Sequence, residues 1–436
     1  MKFSRLIGLA ALTGGALGVG LWLGWWWPPP APVVPPPVVE KAGTQVFYRQ
    51  PDLPDTPTVP AAPKSVVPQL SVAERQLLKL QHRLDQPDAK PGEALLKFSS
   101  VEALRAFSSR AEKNGLTVRG QLEALAVARV GYTQLDQLRA AVQDAGADVN
   151  VDANFIARIP DILQKENRPA GSGAAAFEGE GFLSAIGVTG DRAAWGQGVA
   201  VAVVDSGVED HPTFGAQQIT HVDLVNDGQV FDGHGTAMAS LIAGQDWPAA
   251  GVAPAAQILD VRVADAQGTS DSFTLASGIT QAADAGVQVI NISLGSYGDS
   301  TAVREAISYA QSKGAVIVAA AGNDATANRI SFPASVSGVI SVGGVDAKMA
   351  QAYFSNSGAE LALVAPAVGI QSAYGSDYII VGDGTSQATA IVSGVLAQAL
   401  ASGATTAAGA ADWLKKNAKT LNLPAERVGA GLVQIK

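Results

Sequence analysis

Four polar residues of the chain have the types and the surroundings that acyl transfer requires. Asp205 ends the apolar run "VAVAVVD", and His234 lies between two glycines in "DGHGTAMAS". Ser386 stands in "GTSQATA", at a turn before a long apolar stretch, and Asn323 ends "VIVAAAGN". Together they supply a nucleophile, a base, a carboxylate that holds the base, and an amide donor for a developing oxyanion.

Each of these residues also has a structural explanation when it is taken singly. The glycines before Thr385 and Ser386 are typical of a strand end followed by a capped helix. An acid such as Asp205 at the end of a strand is often a cap, and a lone histidine such as His234 is more often structural than catalytic. The interpretation therefore depends on the elements that position all four residues.

From residue 184 onward, short apolar runs alternate with amphipathic segments. Runs such as "GVAVAVVDSG", "VQVINISLGS" and "AVIVAAAGN" are typical of buried strands, and "STAVREAISYAQSKG" is typical of a helix. This alternation predicts an α/β fold in which a doubly wound, mostly parallel sheet is flanked by helices. Functional residues of such folds gather at the carboxyl ends of the strands, where Asp205 and Asn323 are placed.

A smaller α+β domain is predicted before this sheet, over residues 95–160. The order of its patterns is βαββαβ, which is the ferredoxin-like arrangement. Residues 71–94 are predicted to hold a short helix and a linker, since Ser71 and Glu74 have the spacing of a capping box. Residues 161–183 are rich in Gly and Ala and are predicted to be an exposed, easily cut linker.

The N-terminus has the features of an export signal. Basic residues precede an uncharged run at residues 6–27 that is long enough to cross a bilayer. We favour an uncleaved signal anchor within residues 1–27, which would leave the later domains outside the cytoplasm; the alternative is a secretory signal that is cleaved. Residues 28–70 contain most of the prolines and are predicted to be an extended Pro-rich linker.

The overall composition excludes several classes of function. The chain of 436 residues has no cysteine, so disulfides, thiolate metal sites and cysteine nucleophiles are excluded. The net charge of −9 argues against a nucleic-acid partner. The four polar residues described above need no cofactor for acyl transfer.

Residues 184–436 resemble the subtilisin-like serine proteases. The resemblance rests on blocks that occur in the same order, including "VVDSGVEDHP", "DGHGTAMAS", "NISLGS", "SFPASVSGVISVGGVD" and "GTSQATA". The order Asp, His, Ser along the chain is also the one found in subtilisin. The resemblance implies a serine endopeptidase in which Asp205 orients His234, His234 acts as base and then acid, and Ser386 is the nucleophile. It makes Asn323 and the Ser386 backbone N–H the oxyanion donors.

The same resemblance implies where a polypeptide substrate binds. Two segments would flank an extended peptide as added strands, and a third would line the first specificity pocket. The flanking residues are Gly268, Thr269, Ser270, Ser293, Leu294 and Gly295, and the pocket residues are Ala320, Ala321 and Gly322. Because these pocket residues include no charged side chain, a preference for apolar or aromatic residues is expected, although Asp324 lies close by.

The resemblance also gives residues 95–160 a role. Subtilisin-like proteases are commonly made with a ferredoxin-like propeptide that assists folding, inhibits the active site and is then removed. The chain is therefore expected to be a zymogen that cuts itself within residues 157–183. Structural calcium is common in the family, but the acids Asp223, Asp227 and Asp232 do not form a recognisable site.

The chain departs from the family pattern next to the proposed nucleophile. The family's usual stretch is Gly-Thr-Ser-Met-Ala followed by a small residue and proline, whereas this chain has Gln387 and Ala390. Gln387 removes an oxidisable sulfur, which predicts tolerance to peroxide. Ala390 removes a proline from the helix, which predicts a straighter helix behind Ser386.

Two other functions are alternatives to proteolysis. A membrane-anchored, peptide-binding pseudoprotease would keep the groove but lack turnover, and the complete set of four residues argues against it. An esterase or lipase of the α/β-hydrolase type would need the order Ser, acid, His and a Gly-x-Ser-x-Gly elbow, and this chain has neither.

Overall fold

The computed structural model describes residues 38–42, 45–49, 78, 80–145, 149–164, 168–169, 172–229, 233–246 and 248–436. Two units are distinguished, residues 1–69 and residues 70–436. Residues 6–27, for which we predicted the export signal, lie outside the described residues. No helix within the described part of the chain is long and apolar enough to cross a membrane.

The first unit contains a β-hairpin inside the region predicted to be a Pro-rich linker. Strands β1 (Val38–Ala42) and β2 (Gln45–Arg49) pair in antiparallel register. The sequence has no proline between Pro37 and Pro51, so every residue of this stretch can donate a backbone hydrogen bond. The prediction of an extended linker overlooked this proline-free interval.

A small α+β domain opens the second unit. Its elements are β3 (Ala89–Lys97), α1 (Val101–Ser108), β4 (Thr117–Leu122), β5 (Val127–Gly131), α2 (Leu135–Ala145) and β6 (Asn150–Arg158). The strands pair antiparallel in the order β6-β3-β5-β4, and the chain order is βαββαβ, as predicted. The first strand begins at Ala89, before the predicted residue 95, because a register shift between Ala89 and Ala94 hides its alternation.

The remaining elements belong to the larger domain and to the segment that leads into it. They are β7 (Leu163–Gln164), α3 (Gly181–Ala185), β8 (Ala200–Asp205), β9 (Ile219–Asp223), α4 (His234–Ala243), β10 (Gln257–Arg262), β11 (Thr269–Asp271), α5 (Ser272–Asp284), β12 (Val289–Ile292), α6 (Thr301–Ser312), β13 (Val316–Ala320), β14 (Ile340–Val345), β15 (Leu363–Pro366), β16 (Ile370–Tyr374), β17 (Tyr378–Asp383), α7 (Thr385–Ala401), α8 (Ala410–Asn417) and α9 (Ala425–Val428).

Seven strands of the larger domain form a parallel sheet in the order β15-β14-β13-β12-β8-β10-β9. Alternate residues of β8 belong to different cores: Ala202 and Val204 pack with helices α5 and α6, and Val201 and Val203 pack with α4 and α7. Helices therefore cover both faces, which explains why the strands are continuous apolar runs. The predicted doubly wound parallel sheet is confirmed.

Candidate active site

The first part of the site is a buried carboxylate and imidazole pair. Asp205 is the last residue of β8 and His234 is the first residue of α4. His234 Nδ1 and Asp205 Oδ1 are 2.8 Å apart. The same carboxylate oxygen accepts from the Ser206 backbone N–H at 2.8 Å, and Ser206 Oγ accepts from the Gly235 N–H at 3.1 Å. Ser206 thus fixes both partners of the pair.

Gly235 explains how α4 comes so close to the end of β8. A Cβ at this position would lie 2.2 Å from the Gly207 carbonyl oxygen. Any side chain would therefore push the first turn of α4 away from the loop that follows Asp205. The glycine after His234 is needed for backbone packing that sets the distance between the imidazole and the carboxylate.

Ser386 is the second residue of α7, a helix that packs against α4. It is 1% exposed, and its Oγ donates to the Ser293 carbonyl oxygen at 3.3 Å. Because the first N–H groups of a helix have no acceptor within the helix, the Ser386 N–H is available to a ligand. The serine therefore brings a hydroxyl and a backbone donor to the same place.

Asn323 is held by the start of the same helix. Its Oδ1 accepts from the Thr385 backbone N–H at 2.9 Å and from Thr385 Oγ1 at 2.7 Å. With the oxygen end of the amide held by two donors, the Nδ2 end faces away from Thr385, and Asn323 lines the adjoining cavity. This orientation is the one that a donor to an oxyanion needs. Thr385 was not singled out from the sequence.

A cavity of about 460 Å³ adjoins Asn323. Two of the three predicted pocket residues, Ala320 and Gly322, line it, but Ala321 does not. The backbone of Ala321 instead pairs with its neighbours: its N–H donates to Val342 and its carbonyl accepts from Ser331. Ala321 is thus a core residue and is not among the residues that line this cavity.

Asp324 also lines the cavity and accepts a hydrogen bond from the Tyr297 hydroxyl. Burial and the neighbouring Asp324 raise the pKa of Tyr297. The Arg329 guanidinium lies 3.8 Å from the centre of the Tyr297 ring. From the sequence, Asp324 made the side-chain preference of the pocket uncertain. In the structure, its carboxylate is paired with the Tyr297 hydroxyl.

The two segments expected to flank a substrate are already paired with residues of the chain itself. Strand β11 pairs antiparallel with residues 156–158 of β6. Ile159 donates its N–H to the Gly268 carbonyl at 2.8 Å. Arg158 exchanges two backbone hydrogen bonds with Gly295, at 2.9 and 3.0 Å. Between these partners, Leu294 lines the cavity and the Ser293 carbonyl accepts from Ser386.

The chain then crosses the site and pairs again on its far side. Pro160 and Asp161 line the cavity beside Asn323 and Thr385. Strand β7 pairs antiparallel with the end of β17, with Leu163 opposite Asp383 and Gln164 opposite Gly382. Since β17 leads directly into α7 and Ser386, residues 160–162 are the ones that pass the proposed nucleophile.

The family model for the subtilase family (Peptidase_S8) matches residues 196–431, more than half of the chain. The chain belongs to the subtilase family. M-protease of Shouchella clausii (strain KSM-K16) is 39% identical over 48% of this chain and 55% of its own length, so the subtilase described here spans about half of that protein. Subtilisin Savinase of Lederbergia lenta is 39% identical over 48% of this chain and 78% of its own length.

Among solved structures, this subtilase is similar to fervidolysin from Fervidobacterium pennivorans, described as a keratinolytic enzyme related to subtilisin. The TM-score is 0.68 at 25% identity, with 80% of this chain and 61% of fervidolysin covered. That coverage is more than residues 184–436 alone can supply. The similarity therefore includes residues N-terminal to the larger domain.

Behind the proposed nucleophile, this subtilase has a buried charged cluster that sequence reasoning missed. Asp383 is fully buried and accepts from Arg168 Nε and Nη2, both at 2.6 Å, from the Gly369 N–H at 2.7 Å and from the Tyr353 hydroxyl at 3.2 Å. Arg168 comes from the predicted linker, 215 residues away from Asp383 in the sequence. Asp383 directly precedes "GTSQATA" in the sequence, but no spacing rule connects it with Arg168.

Tyr353 makes this cluster sensitive to alkaline pH. Burial and the nearby Asp383 raise its pKa to about 12, whereas a tyrosine of the unfolded chain titrates near 10. The stability that this difference contributes is complete below pH of about 10 and is lost as the pH rises towards 12. We expect Tyr353→Phe to lose less stability than the unmodified subtilase between about pH 9 and 11.5, measured by denaturant unfolding. Equal losses in both proteins would contradict the role given to Tyr353.

The acids considered for calcium are used within the protein. Asp223 Oδ2 and Asp227 Oδ1 lie 3.1 and 2.9 Å from the guanidinium of the buried Arg262. Asp232 lies outside the described residues. In the part of the chain that the structure covers, no three or more His, Cys, Asp or Glu side chains form a group suited to a metal ion.

Gln387 is 1% exposed and follows Ser386 directly on α7, which continues without interruption through Ala390. A methionine there would place a thioether beside the nucleophile, and methionine is readily oxidised to the sulfoxide. We expect the unmodified protein to keep its activity in dilute peroxide and Gln387→Met to lose activity within minutes. Circular dichroism distinguishes loss of activity from loss of fold. Rapid inactivation of the unmodified, still folded protein would refute this expectation.

Proposed function

We propose that this subtilase is a serine endopeptidase that hydrolyses peptide bonds through an acyl-enzyme intermediate. The observation that carries the proposal is the 2.8 Å contact between the buried Asp205 carboxylate and His234 Nδ1. A proton held on Nδ1 by the carboxylate leaves Nε2 as the basic nitrogen. The contact therefore sets the tautomer that a general base requires.

In the proposed reaction, the Ser386 hydroxyl leaves the Ser293 carbonyl and donates its proton to His234 Nε2 while Oγ attacks the substrate carbonyl carbon. The carbonyl oxygen becomes an oxyanion and accepts from Asn323 Nδ2 and the Ser386 N–H. His234 then gives the proton to the departing amine. Water, activated by the same imidazole, hydrolyses the acyl-enzyme.

The proposed substrates are polypeptides bound in extended form. Support comes from residues 156–159, which already lie between β11 and Gly295 as an added strand. Backbone pairing of this kind accepts many sequences, and the pockets select among side chains. The cavity beside Asn323 would receive the side chain on the N-terminal side of the cleaved bond.

We further infer that residues 89–160 are an intramolecular inhibitor that the protein removes itself. The smaller domain also contacts the larger one outside the cleft. Asp152 Oδ2 accepts from the Thr301 N–H at the start of α6 at 2.8 Å, and Lys90 Nζ lies 2.9 Å from Asp271 at the start of α5. Self-cleavage is expected at one of the two peptide bonds between Pro160 and Ile162, because these bonds pass Ser386. This proposal narrows the cleavage site, which the sequence alone placed anywhere within residues 157–183.

Export of the protein rests on the sequence of residues 1–27 and stays a prediction. Mass spectrometry of the N-termini from purified protein and from membranes would locate signal cleavage and the self-cleavage site together. An N-terminus at Asp161 or Ile162 supports the proposed self-cleavage. An N-terminus elsewhere within residues 157–183 contradicts the narrowed site, and one outside that range contradicts self-cleavage in this segment.

Labelling with a fluorophosphonate probe tests the proposed activity directly, since only an activated serine reacts. We expect one equivalent of label on Ser386 after the propeptide is removed, and none after denaturation. A folded, processed protein that takes up no label would instead be a peptide-binding pseudoprotease.

A further inference from the structure

The segment that follows the proposed cleavage bonds is held more firmly than a linker needs to be. Leu163 and Gln164 pair with the end of β17, and Arg168 forms a bidentate ion pair with Asp383. The same stretch is fixed further along, where the Ala175 N–H donates to Asp346 and the Phe177 N–H donates to the Val368 carbonyl. The predicted exposed linker is therefore held by hydrogen bonds at several points of its described length, and Leu163 and Gln164 form a strand within it.

The pairing of β7 with β17 lies in the half of the cleft that would receive the residues on the C-terminal side of a cleaved bond, which we call the leaving-group half. Strand β17 ends at Asp383 and is followed by Gly384, Thr385 and Ser386. A substrate that extends past its cleaved bond needs the same edge of β17 that β7 occupies. The protein's own segment and such a substrate cannot be bound there together.

The ion pair opposes departure of the segment. Asp383 is fully buried and the Arg168 side chain is 11% exposed. Withdrawing Arg168 would leave a buried carboxylate without its cation, which is strongly unfavourable. Self-cleavage separates the propeptide from the larger domain. Arg168 lies after the cleaved bond and remains covalently part of the larger domain.

We propose that Arg168 and Asp383 form a latch that keeps Leu163 and Gln164 in the leaving-group half of the cleft after self-cleavage. The latch makes Arg168 a specificity-determining residue: while it is closed, the enzyme accepts substrates that end near the cleaved bond and resists those that extend beyond it. This rests on the proposed protease activity. The cleavage itself is ordinary hydrolysis, in which water supplies the hydroxyl of the new carboxyl end and a proton of the new amine.

Two substrates with the same residues before the cleaved bond separate the latch from catalysis. One ends in a p-nitroanilide, and the other continues for eight residues to a fluorescence quencher. If the latch is open a tenth of the time, the KM of the long substrate is raised about tenfold, since apparent affinity scales with the competent fraction. We expect Arg168→Gln to lower that KM by about this factor relative to the KM of the anilide, and Arg168→Lys to change it less.

The readout is the ratio of the KM of the long substrate to the KM of the anilide within one variant, because both substrates react with the same Ser386. Tyr353→Phe is the matched control, since it removes a different partner of Asp383 and leaves Arg168 in place; its ratio should equal that of the unmodified enzyme. An unchanged ratio in Arg168→Gln overturns the latch. If the anilide is not hydrolysed and no fluorophosphonate is bound, the proposed protease function fails instead.

Hydrogen exchange on the unmodified enzyme tests the same idea without a variant. We expect the amides of Leu163 and Gln164, which pair with β17, to remain protected after self-cleavage and loss of the propeptide. Exchange of these amides within seconds in the cleaved enzyme would show that the segment leaves the cleft, and would overturn the latch even if Arg168→Gln failed to fold.

Discussion

Replacing Ser386 by alanine is expected to leave the chain uncut and to lower kcat by about 10⁶-fold, the size found when the serine of subtilisin, a member of the same family, is removed. The reason is that the Ser386 hydroxyl is the nucleophile that we propose to form the acyl-enzyme. The measurement is the mass of the purified protein together with hydrolysis of a p-nitroanilide peptide.

A matched control is available on the same helix. Ser393 is also buried, and its Oγ donates to Asn291 Oδ1 at 2.9 Å. We expect Ser393→Ala to cut itself and to keep its kcat, with some loss of stability from the missing hydrogen bond. If Ser386→Ala is processed as completely as the unmodified protein in a host without other proteases, self-cleavage is wrong.

Replacing Asn323 by alanine is expected to lower kcat by about 10² to 10³-fold with little change in KM, as for the corresponding amide donor in subtilisin. The amide serves the oxyanion, which exists only in the transition state and intermediate, so ground-state binding is unaffected. Steady-state kinetics on one anilide substrate separate the two parameters. A KM that rises while kcat stays constant would assign Asn323 to substrate binding instead.

Thr385 offers a graded version of the same experiment. Thr385→Val removes the hydroxyl that donates to Asn323 Oδ1 at 2.7 Å and keeps the backbone donor at 2.9 Å. With one of its two hydrogen bonds lost, the Asn323 amide is less firmly oriented. We expect kcat to fall by roughly tenfold, as for one neutral hydrogen bond. Thr385→Ser retains the hydroxyl and should retain kcat. Equal losses in both variants would mean that the hydroxyl does not orient Asn323.

Local pattern was sufficient to predict the sheet, because a strand buried on both faces has to be apolar throughout. Runs such as the one ending at Asp205 carry that signature, and parallel strands bring their carboxyl ends to one edge. The contact between Asp205 and His234 follows from this topology. Their catalytic roles, with those of Ser386 and Asn323, stay predictions that the variants above test.

The sequence pattern could not predict contacts between residues that are distant in the chain, or the direction in which an individual side chain points. Arg168 and Asp383 are 215 residues apart, and neither lies in a periodic segment that would orient it. Ala321 lies between two residues that line the pocket, yet the strand-like pairing of its backbone turns it into the core. The register shift between Ala89 and Ala94 changes the alternation that strand prediction depends on.

Strand β11 belongs to the larger domain by sequence, but it completes the sheet of the smaller one, as the fifth strand beside β6. An open strand edge is a template for aggregation, and newly made chains are most at risk before their edges are covered. Here each domain covers the other's edge within a single chain, so the pairing does not depend on protein concentration. In the uncut chain, the groove that we propose for foreign polypeptides is therefore occupied by the chain's own strand β6.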